Sequence, residues 1–277
     1  MHRYAEVLFN IPVDRAFVYC VPDGLHCQEG CRVVAPFGRR RLTGIAVGML
    51  DEGPVGDFQT KDLERVIDST PVLTPELLRL ADWMAETYIC SRGEALHAMT
   101  PTGRRESEGV DLSLYSDRDA WGPVSLAEEQ ERAVETIRNA RGGTFYLQGV
   151  TGSGKTEVFL RVARAVHAEG RSVVYLVPEI SLVHQVVERF VAEFGEGVAV
   201  LHSGLTGAQR YREWLKLLTG EARVAIGARS AVFAPVLDLG LVSSTRSTRD
   251  RTSRGTPPAT MPGRSRLEGA GPMGPSS

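Results

Sequence analysis

The sequence lacks several features that would assign it to a class at once. No run of about 18 apolar residues occurs in the 277-residue chain, so we expect no membrane-spanning helix. The N-terminus has no apolar core of a signal peptide, so we expect the protein to stay in the cytoplasm. The formal net charge is only -2, so overall charge does not indicate a nucleic-acid partner, and local motifs must do so.

Cysteine is also scarce, and its spacing excludes a common metal site. The chain has four cysteines, Cys20, Cys27, Cys31 and Cys90, without the paired C-x₂-C pattern of a zinc site. We therefore predict free, reduced thiols. Hydrophobic residues make up 42% and charged residues 24%, which is typical of an ordinary soluble protein, and the length leaves room for about two domains.

What the sequence does contain is a phosphate-binding motif at residues 149–156. It reads Gly149, Val150, Thr151, Gly152, Ser153, Gly154, Lys155 and Thr156, which fits the P-loop pattern G-x-x-x-x-G-K-[ST]. In such a loop, backbone N–H groups and a helix N-terminus surround the phosphates. Lys155 then reaches the β- and γ-phosphates, and the Thr156 hydroxyl holds Mg²⁺. The motif predicts ATP and Mg²⁺ as cofactors, with Lys155 and Thr156 catalytic; a glycine-rich turn that matches by chance is the alternative.

The segments on either side of this motif fit a strand–loop–helix unit. Phe145–Leu147 predicts a short buried strand before the loop. Beyond the loop, one face of a predicted helix carries three valines, Val158, Val162 and Val166. Gly170 is a plausible end of that helix. An earlier helix is predicted to start at Ser125 as N-cap, with Glu128 completing a capping box.

Strands and helices alternate from there to residue 242. The predicted strands are 173–177, 198–201 and 222–226, and the predicted helices are 181–193 and 206–218. This alternation predicts an α/β fold: a RecA-like P-loop domain with a parallel sheet and right-handed crossovers. Ligands bind such sheets at the loops after the strands, which here are 178–182, 202–204 and 227–231.

The first hundred residues predict a small β-rich unit and then one helix. Strands are expected within 4–21, 31–37 and 44–50, with a turn at 22–24. A helix is expected over 75–88, with Thr74 as N-cap and Pro75 at its first position. The three arginines Arg39, Arg40 and Arg41 have two interpretations, a solvated loop or a contact to a DNA phosphate backbone.

Four N-terminal segments resemble the DNA-binding domain of the PriA family of primosomal replication-restart helicases. They are residues 12–17, 30–33, 36–40 and 75–81. The resemblance implies a domain that recognises the 3′ end of the leading strand at a stalled fork, with Phe17 and Lys61 at the 3′-end pocket. Val18 stands where many members have Asp, and valine cannot accept a hydrogen bond there.

The loops of the parallel sheet resemble helicase motifs of the same family. The residues concerned are Glu179, His202, Arg229 and Ser230 on the single-strand track, and Gln130, which resembles the residue that reads adenine. The resemblance implies an ATP-dependent 3′–5′ DNA helicase. Its implied partners are single-stranded and forked DNA, primosome proteins and single-strand-binding protein. Taken alone, Gln130 and Arg229 would be surface residues and His202 a capped turn.

These patterns predict a β-rich 3′-end-binding domain at 1–101, a linker at 102–123, a first helicase domain at 124–242 and a basic tail at 243–277. The predicted linker is too short for the winged-helix domain that the family usually carries there, because domains rarely fall below about 50 residues. In the tail, six arginines against Asp250 and Glu268 give a net charge of +4. Its low apolar content predicts disorder.

The start of the tail departs from the pattern of a motor. A strand such as Leu239–Val242 should lead into Asp-Glu, but Ser243, Ser244 and Thr245 follow. One interpretation is a genuine basic tail that binds nucleic acid. The other is a frameshift, because 242–248 read one base earlier can encode Val-Val-Asp-Glu-Glu-His.

The frameshift hypothesis affects the predicted function. The chain would then lack the acidic motif, the second motor domain with its arginine finger, and the zinc-binding cysteines that the resemblance implies. Such a polypeptide should bind DNA ends weakly and hydrolyse little ATP. The alternatives are a catalytically inactive DNA-end-binding loading platform and, less favoured, an unrelated P-loop enzyme such as a small-molecule kinase.

Overall fold

The structure is a computed structural model, and it describes residues 3–53, 60–101, 110–112, 125–140, 142–150, 152–178 and 183–245. The predicted tail from residue 246 onward, Thr151 and Glu179 lie outside these residues. No helix within the described ranges is long and apolar enough to cross a membrane.

An antiparallel sheet forms the N-terminal part and confirms the predicted β-rich unit. Its strands are β1 (Arg3–Phe9), β2 (Phe17–Val21), β3 (Arg32–Phe37), β4 (Arg40–Leu50) and β5 (Arg65–Val66). They are arranged in the order β2-β1-β4-β3-β5. Alternate β1 side chains Ala5, Val7 and Phe9 are fully buried, as expected for a strand with one face on a core.

Two strand boundaries differ from the prediction. β1 ends at Phe9, because residues 10–12 turn sharply and Pro12 has no N–H to donate to a sheet. β4 begins four residues earlier than predicted, so that Arg40 and Arg41 pair with Phe37 and Pro36 across the β3–β4 hairpin. These two arginines are therefore strand residues with exposed side chains and not part of an irregular loop.

Two helices pack on this sheet, and one of them was not predicted. α1 (Pro75–Tyr88) has the predicted cap, since the Thr74 hydroxyl accepts from Leu77 N at 3.3 Å. α2 (Arg92–Met99) was missed, although Ser91 and Glu94 form a full capping box. A Cβ on Gly93 would lie 1.8 Å from the Phe9 carbonyl oxygen, so α2 and β1 touch backbone to backbone.

The second half is the predicted α/β fold. Its parallel strands are β6 (Ser172–Leu176), β7 (Val198–Leu201), β8 (Val224–Gly227) and β9 (Leu239–Ser244), in the order β7-β8-β6-β9. The accompanying helices are α3 (Glu128–Asn139), α4 (Lys155–Ala168), α5 (Val183–Phe194) and α6 (Gly207–Thr219). The predicted valine face of α4 is confirmed, because Val158 and Val162 are buried and Val166 packs against them.

The buried strand predicted before the phosphate loop is wrong. Residues 143–150 form no strand, and Phe145 and Tyr146 are 44% and 79% exposed. Among the described residues, no strand lies beside this segment, and β9 is the last strand on its side of the sheet. An apolar run becomes a strand only when a neighbour takes up its backbone hydrogen bonds, and sequence periodicity does not report that neighbour.

The predicted cap of α3 is also wrong. The helix starts at Glu128 with Ala127 as N-cap; alanine has no side-chain acceptor, so only one half of a capping box is present, and Gln130 rather than Glu128 supplies it. The Gln130 Oε1 atom accepts from Ala127 N at 2.8 Å. The N-cap therefore lies two residues after the predicted Ser125.

Of the predicted linker, only residues 110–112 are described, and they pack against the parallel sheet. Leu112 is 4% exposed within the core formed around Val173 and Phe190. The Val110 N–H donates to the buried carboxylate of Glu213 on α6 at 3.1 Å. The same carboxylate accepts from Val200 N at 3.0 Å, so it joins the chain before α3 to strand β7. The bounds of the four predicted segments stay predictions.

The four cysteines are free, as predicted. Cys27 and Cys31 are buried, and burial raises the pKa of Cys27 to about 11. A thiol with such a pKa stays protonated at neutral pH and is a poor nucleophile. Across the described ranges, no cluster of three or more His, Cys, Asp or Glu residues is arranged to hold a metal ion.

Candidate functional site

The phosphate loop has the backbone conformation that its glycines allow. Gly152 and Gly154 have φ angles of 82° and 73°, in the left-handed region that side chains with a Cβ rarely adopt. Gly154 is the N-cap of α4, and Lys155 is the first residue of that helix. The free N–H groups and positive dipole end of α4 therefore lie at the loop.

The Lys155 ammonium lies within the loop. Its Nζ atom donates to the carbonyl oxygens of Gly149 at 2.8 Å and Val150 at 2.6 Å, and lies 3.3 Å from the Ser153 hydroxyl. A positive charge and helix N–H groups thus face one small volume, which is the arrangement that binds a phosphate anion. Thr151 completes the predicted motif in sequence but lies outside the described residues.

Thr156 follows in the first turn of α4, half-buried beside Tyr175 of β6. Burial raises the pKa of Tyr175 to about 12, and the Thr156 side chain partly opposes that rise. A hydroxyl oxygen next to bound phosphates is a suitable hard ligand for Mg²⁺, so Thr156 and the phosphate oxygens would hold the metal. The metal would neutralise phosphate charge during phosphoryl transfer.

Glu157 was not singled out from the sequence, yet it is a buried carboxylate beside the site. It accepts from Arg161 Nε at 3.0 Å and lies 3.8 Å from Arg189 Nη1 of α5. A carboxylate in the first turn of a helix is stabilised by the helix dipole. Glu157 therefore fixes the phosphate-loop helix to α5, and the i,i+4 spacing of Glu157 and Arg161 was the available signal.

Gln130 is tied to the phosphate loop. Its Nε2 atom donates to the Ser153 carbonyl at 2.8 Å, while its Oε1 atom caps α3. The alternative of a solvated surface residue therefore does not hold. Its predicted role in reading adenine stays a prediction.

The predicted strand-contacting residues lie in loops after β7 and β8. His202 Nδ1 accepts from Gly204 N at 3.1 Å, so this histidine caps its own turn. Arg229 and Ser230 begin a 3₁₀ turn (Arg229–Phe233), and both are exposed. Since β7 and β8 are parallel neighbours, the two loops leave the sheet at the same edge. Glu179, predicted for the same track, lies outside the described residues.

The N-terminal sheet has an open cleft at one end, with a volume of about 510 Å³. Its walls include Phe37, the Gly38 turn, Arg39 and Arg40. Within the described part of the chain neither Arg39 nor Arg40 forms a salt bridge, whereas Arg41 pairs with Glu64 at 2.9 Å. Two exposed guanidinium groups therefore face the solvent at an aromatic wall, as an oligonucleotide site requires.

The aromatic wall continues to the predicted pocket residue Phe17. Its ring packs edge-on against Phe37 with centroids 5.1 Å apart, and the Arg15 guanidinium lies 5.8 Å from the Phe17 centroid. Lys61 lies beside the last residues of β2, where its backbone carbonyl accepts from Cys20 N at 2.9 Å. The structure thus joins Phe17 to the arginine cleft and leaves Lys61 on the outer side of β2.

Comparison with known proteins follows this division of the chain. Residues 6–101 match the family model described as the 3′DNA-binding domain (3′BD), and residues 127–250 match the DEAD/DEAH box helicase model. The chain thus carries the domains of a DNA-binding helicase, which excludes the alternative of an unrelated small-molecule kinase.

Curated relatives identify the family more narrowly. The replication restart protein PriA of Treponema pallidum is 42% identical over 251 residues, which cover 87% of this chain and 38% of that protein. PriA of Bacillus subtilis is 27% identical over 387 residues, covering 87% and 48%. PriA of Synechocystis is 45% identical over 138 residues, covering 50% and 17%.

These matches confirm the resemblance: the chain corresponds to the N-terminal portion of the PriA family of replication restart proteins. It spans about two fifths to a half of the length of the first two relatives.

Proposed function

We propose that this chain binds DNA ends and single strands together with ATP and Mg²⁺, as the N-terminal part of an ATP-dependent 3′–5′ helicase of replication restart. The observation that carries the proposal is the phosphate loop, where Lys155 Nζ contacts the loop carbonyls and Gln130 bonds to Ser153. The arginine cleft at Phe37 supports the DNA part. The 3′–5′ polarity is proposed from the family alone. The same holds for the partners, which are primosome proteins and single-strand-binding protein. Because the proposed substrate is chromosomal DNA, we also propose that the protein acts in the cytoplasm.

Lys155→Ala tests the nucleotide part. Removal of the ammonium should weaken the binding of a fluorescent ATP analogue at least tenfold in the presence of Mg²⁺, because a charge-assisted contact to phosphate is lost. Lys216→Ala would be a poor control since that ammonium is buried on Glu213, so the exposed Lys61 serves instead. Lys61→Ala should leave nucleotide affinity unchanged. Equal nucleotide binding by the Lys155 variant and the unmodified chain would refute the ATP site.

Arg39→Ala combined with Arg40→Ala tests the DNA part. The double variant should weaken the binding of a partial duplex DNA and reduce its salt dependence, because each phosphate contact releases counterions. The matched control is Arg41→Ala, whose side chain pairs with Glu64. An unchanged DNA affinity in the double variant would show that the cleft does not contact DNA.

A catalytically inactive loading platform remains the second candidate, and one observation favours it. β9 ends at Ser244 and is followed by Thr245, so the described strand carries no acidic residue at its carboxyl end. Metal-binding and water-orienting carboxylates are what hydrolysis needs at that place. We propose slow hydrolysis accordingly. Robust DNA-stimulated ATP turnover by the purified chain would rule out the platform.

The frameshift hypothesis for residues 242–248 has its own test. The nucleotide sequence of the source DNA should spell Asp-Glu when read one base earlier. Codons that cannot do so would leave a genuine basic tail as the explanation.

A further inference from the structure

One helix of the parallel sheet, α6, bonds directly to the N-terminal domain. The Tyr211 hydroxyl donates to Asp68 Oδ1 at 3.0 Å, and the Trp214 indole N–H donates to the Val72 carbonyl at 2.8 Å. Both α6 side chains are 3% exposed. Polar groups buried this deeply are held in one geometry, because separating them leaves unpaired donors and acceptors.

The N-terminal side of this contact is a buried ion pair. Arg32 Nη2 lies 2.7 Å from Asp68 Oδ1, and Arg32 Nη1 donates to the Pro101 carbonyl at 2.9 Å. The Arg32 guanidinium also lies over the Tyr211 ring, 4.7 Å from its centroid. Asp68 is therefore shared between the two halves, and the contact has the directional specificity of a charge-assisted network.

Apolar packing extends the contact toward both candidate DNA surfaces. Tyr211 and Trp214 belong to one core cluster with Leu8 of β1. Leu8 is followed by Phe9, whose ring packs on Phe37 at the arginine cleft with centroids 5.3 Å apart. On the other side, Phe233 packs against the same cluster.

Phe233 connects this core to the strand-contacting loop. It is the last residue of the 3₁₀ turn that begins with the exposed Arg229 and Ser230. The Arg229 loop therefore joins this core through its own 3₁₀ turn, and the arginine cleft joins it through β1, whose neighbouring residues Leu8 and Phe9 belong to the cores on its two faces. The loop and the cleft both belong to one compact unit of the chain.

We propose that Tyr211 and Trp214 are positioning residues that hold the arginine cleft and the Arg229–Ser230 loop at a fixed separation, so that one DNA molecule with a 3′ end and an adjoining single strand binds both surfaces at once. This inference rests on the proposed function. Binding of the first surface presents the second at a high effective concentration, and the affinity gain requires a fixed and compatible geometry.

The test compares three DNA probes on the full chain. One is a partial duplex whose recessed 3′ end adjoins a single-stranded extension, the second is a blunt duplex with an end only, and the third is a circular single strand without an end. The unmodified chain should bind the first probe about a hundredfold more tightly than either of the others, within the range seen for linked sites.

The variant pair is Tyr211→Phe with Trp214→Phe, which removes both interdomain hydrogen bonds and keeps aromatic side chains. The affinity for the first probe should fall about tenfold, while the affinities for the other two stay within about twofold, because only the linkage is loosened. Tyr88→Phe with Trp83→Phe is the matched control, since these two rings pack on each other on α1, 6.2 Å apart. The control should bind all three probes like the unmodified chain.

The single variant Tyr211→Phe gives a second measurement if the double variant fails to fold, and it should show a smaller loss in the same direction. Loss of all three affinities together in a folded variant, or no loss for the first probe, would overturn the inference. An unmodified chain that binds the two simple probes but shows no gain for the first would also overturn it and leave the proposed function standing. Failure to bind any probe would refute the DNA-binding function itself.

Discussion

The arginine cleft and the phosphate loop are held in place in opposite ways. The arginine cleft rests on paired strands and on a fully buried aromatic residue, Phe9. The phosphate loop follows a segment in which Phe145, Tyr146 and Val150 are all more than 40% exposed. The first site is therefore held by its sheet, and the second is held by the start of α4 and by the contact of Gln130 with Ser153. Binding surfaces of similar chemistry can thus depend on tertiary packing in one place and on local backbone geometry in another.

The largest expected effect is on the buried ion pair of Arg32 and Asp68, which lies at the opposite end of β3 from the arginine cleft. Asp68→Ala should lower the free energy of unfolding by about 3–5 kcal/mol, because no carboxylate then neutralises the buried charge of Arg32. Urea unfolding of the full chain measures it. Asp82→Ala is the control, since its pair with Arg92 is substantially exposed and should contribute under about 1 kcal/mol. Equal losses for the two variants would show that Asp68 is not buried in solution.

A pair of phenylalanines tests the comparison directly. Phe9→Ala should cost about 3 kcal/mol of unfolding free energy, because it empties a site among Phe17, Tyr19 and Phe37. Phe145→Ala should change stability by no more than about 0.5 kcal/mol, as for other surface substitutions. Urea midpoints of the two variants decide the matter. A loss at Phe145 as large as that at Phe9 would mean that the segment before the phosphate loop is packed after all.

The next expected loss of stability is smaller and comes from backbone strain in the phosphate loop. Gly152→Ala places a Cβ at φ 82° with open space around it, which costs about 1–2 kcal/mol, and it should also weaken ATP-analogue binding. Gly24→Ala is the matched control, with φ 91° and open space around it. It should show a similar loss on thermal unfolding and unchanged nucleotide affinity. Unchanged nucleotide affinity in both variants would mean that the loop conformation does not govern binding.

The smallest expected effect is a pH dependence on the N-terminal side. Hydrogen bonds from the Ser91 backbone N–H and hydroxyl lower the pKa of Glu94, so its ionised form stabilises the start of α2. This stability is fully present above the pKa of Glu94 in the unfolded chain and is lost as pH falls through the lower folded value. Glu94→Gln should flatten the decline of unfolding temperature in the acid range. An unchanged slope of unfolding temperature against pH would show that Glu94 does not contribute to the pH dependence of stability.

Much of the fold could be predicted from local patterns, and the errors share a cause. Thr74 before Pro75 and the alternating strands of the second half needed only neighbouring residues, and they were confirmed. The box of Ser91 and Glu94 was an equally local signal that went unused. By contrast, the exposure of Tyr146 and the burial of Leu112 depend on which distant element lies beside them, and periodicity carries no such information.

The candidate sites divide in the same way. The phosphate loop was predictable because one short motif specifies glycines, lysine and helix start together. The contacts of Gln130 with Ser153 and of Tyr211 with Asp68 join residues 23 and 143 positions apart, and no short pattern reports them. In the sequence, Arg32 is notable only as part of the segment 30–33 that resembles the family, yet its side chain is the centre of the network between the two halves.

The buried indole of Trp214 gives the molecule an internal optical reporter. An indole that donates to a carbonyl in an apolar core emits at shorter wavelength than one in water, so fluorescence registers whether the two halves are joined. Trp83 on α1 is half-buried and Trp121 lies outside the described residues, so the difference in emission between the chain and its Trp214→Phe variant isolates the Trp214 signal. Emission spectra can therefore follow the joining of the halves without any added label.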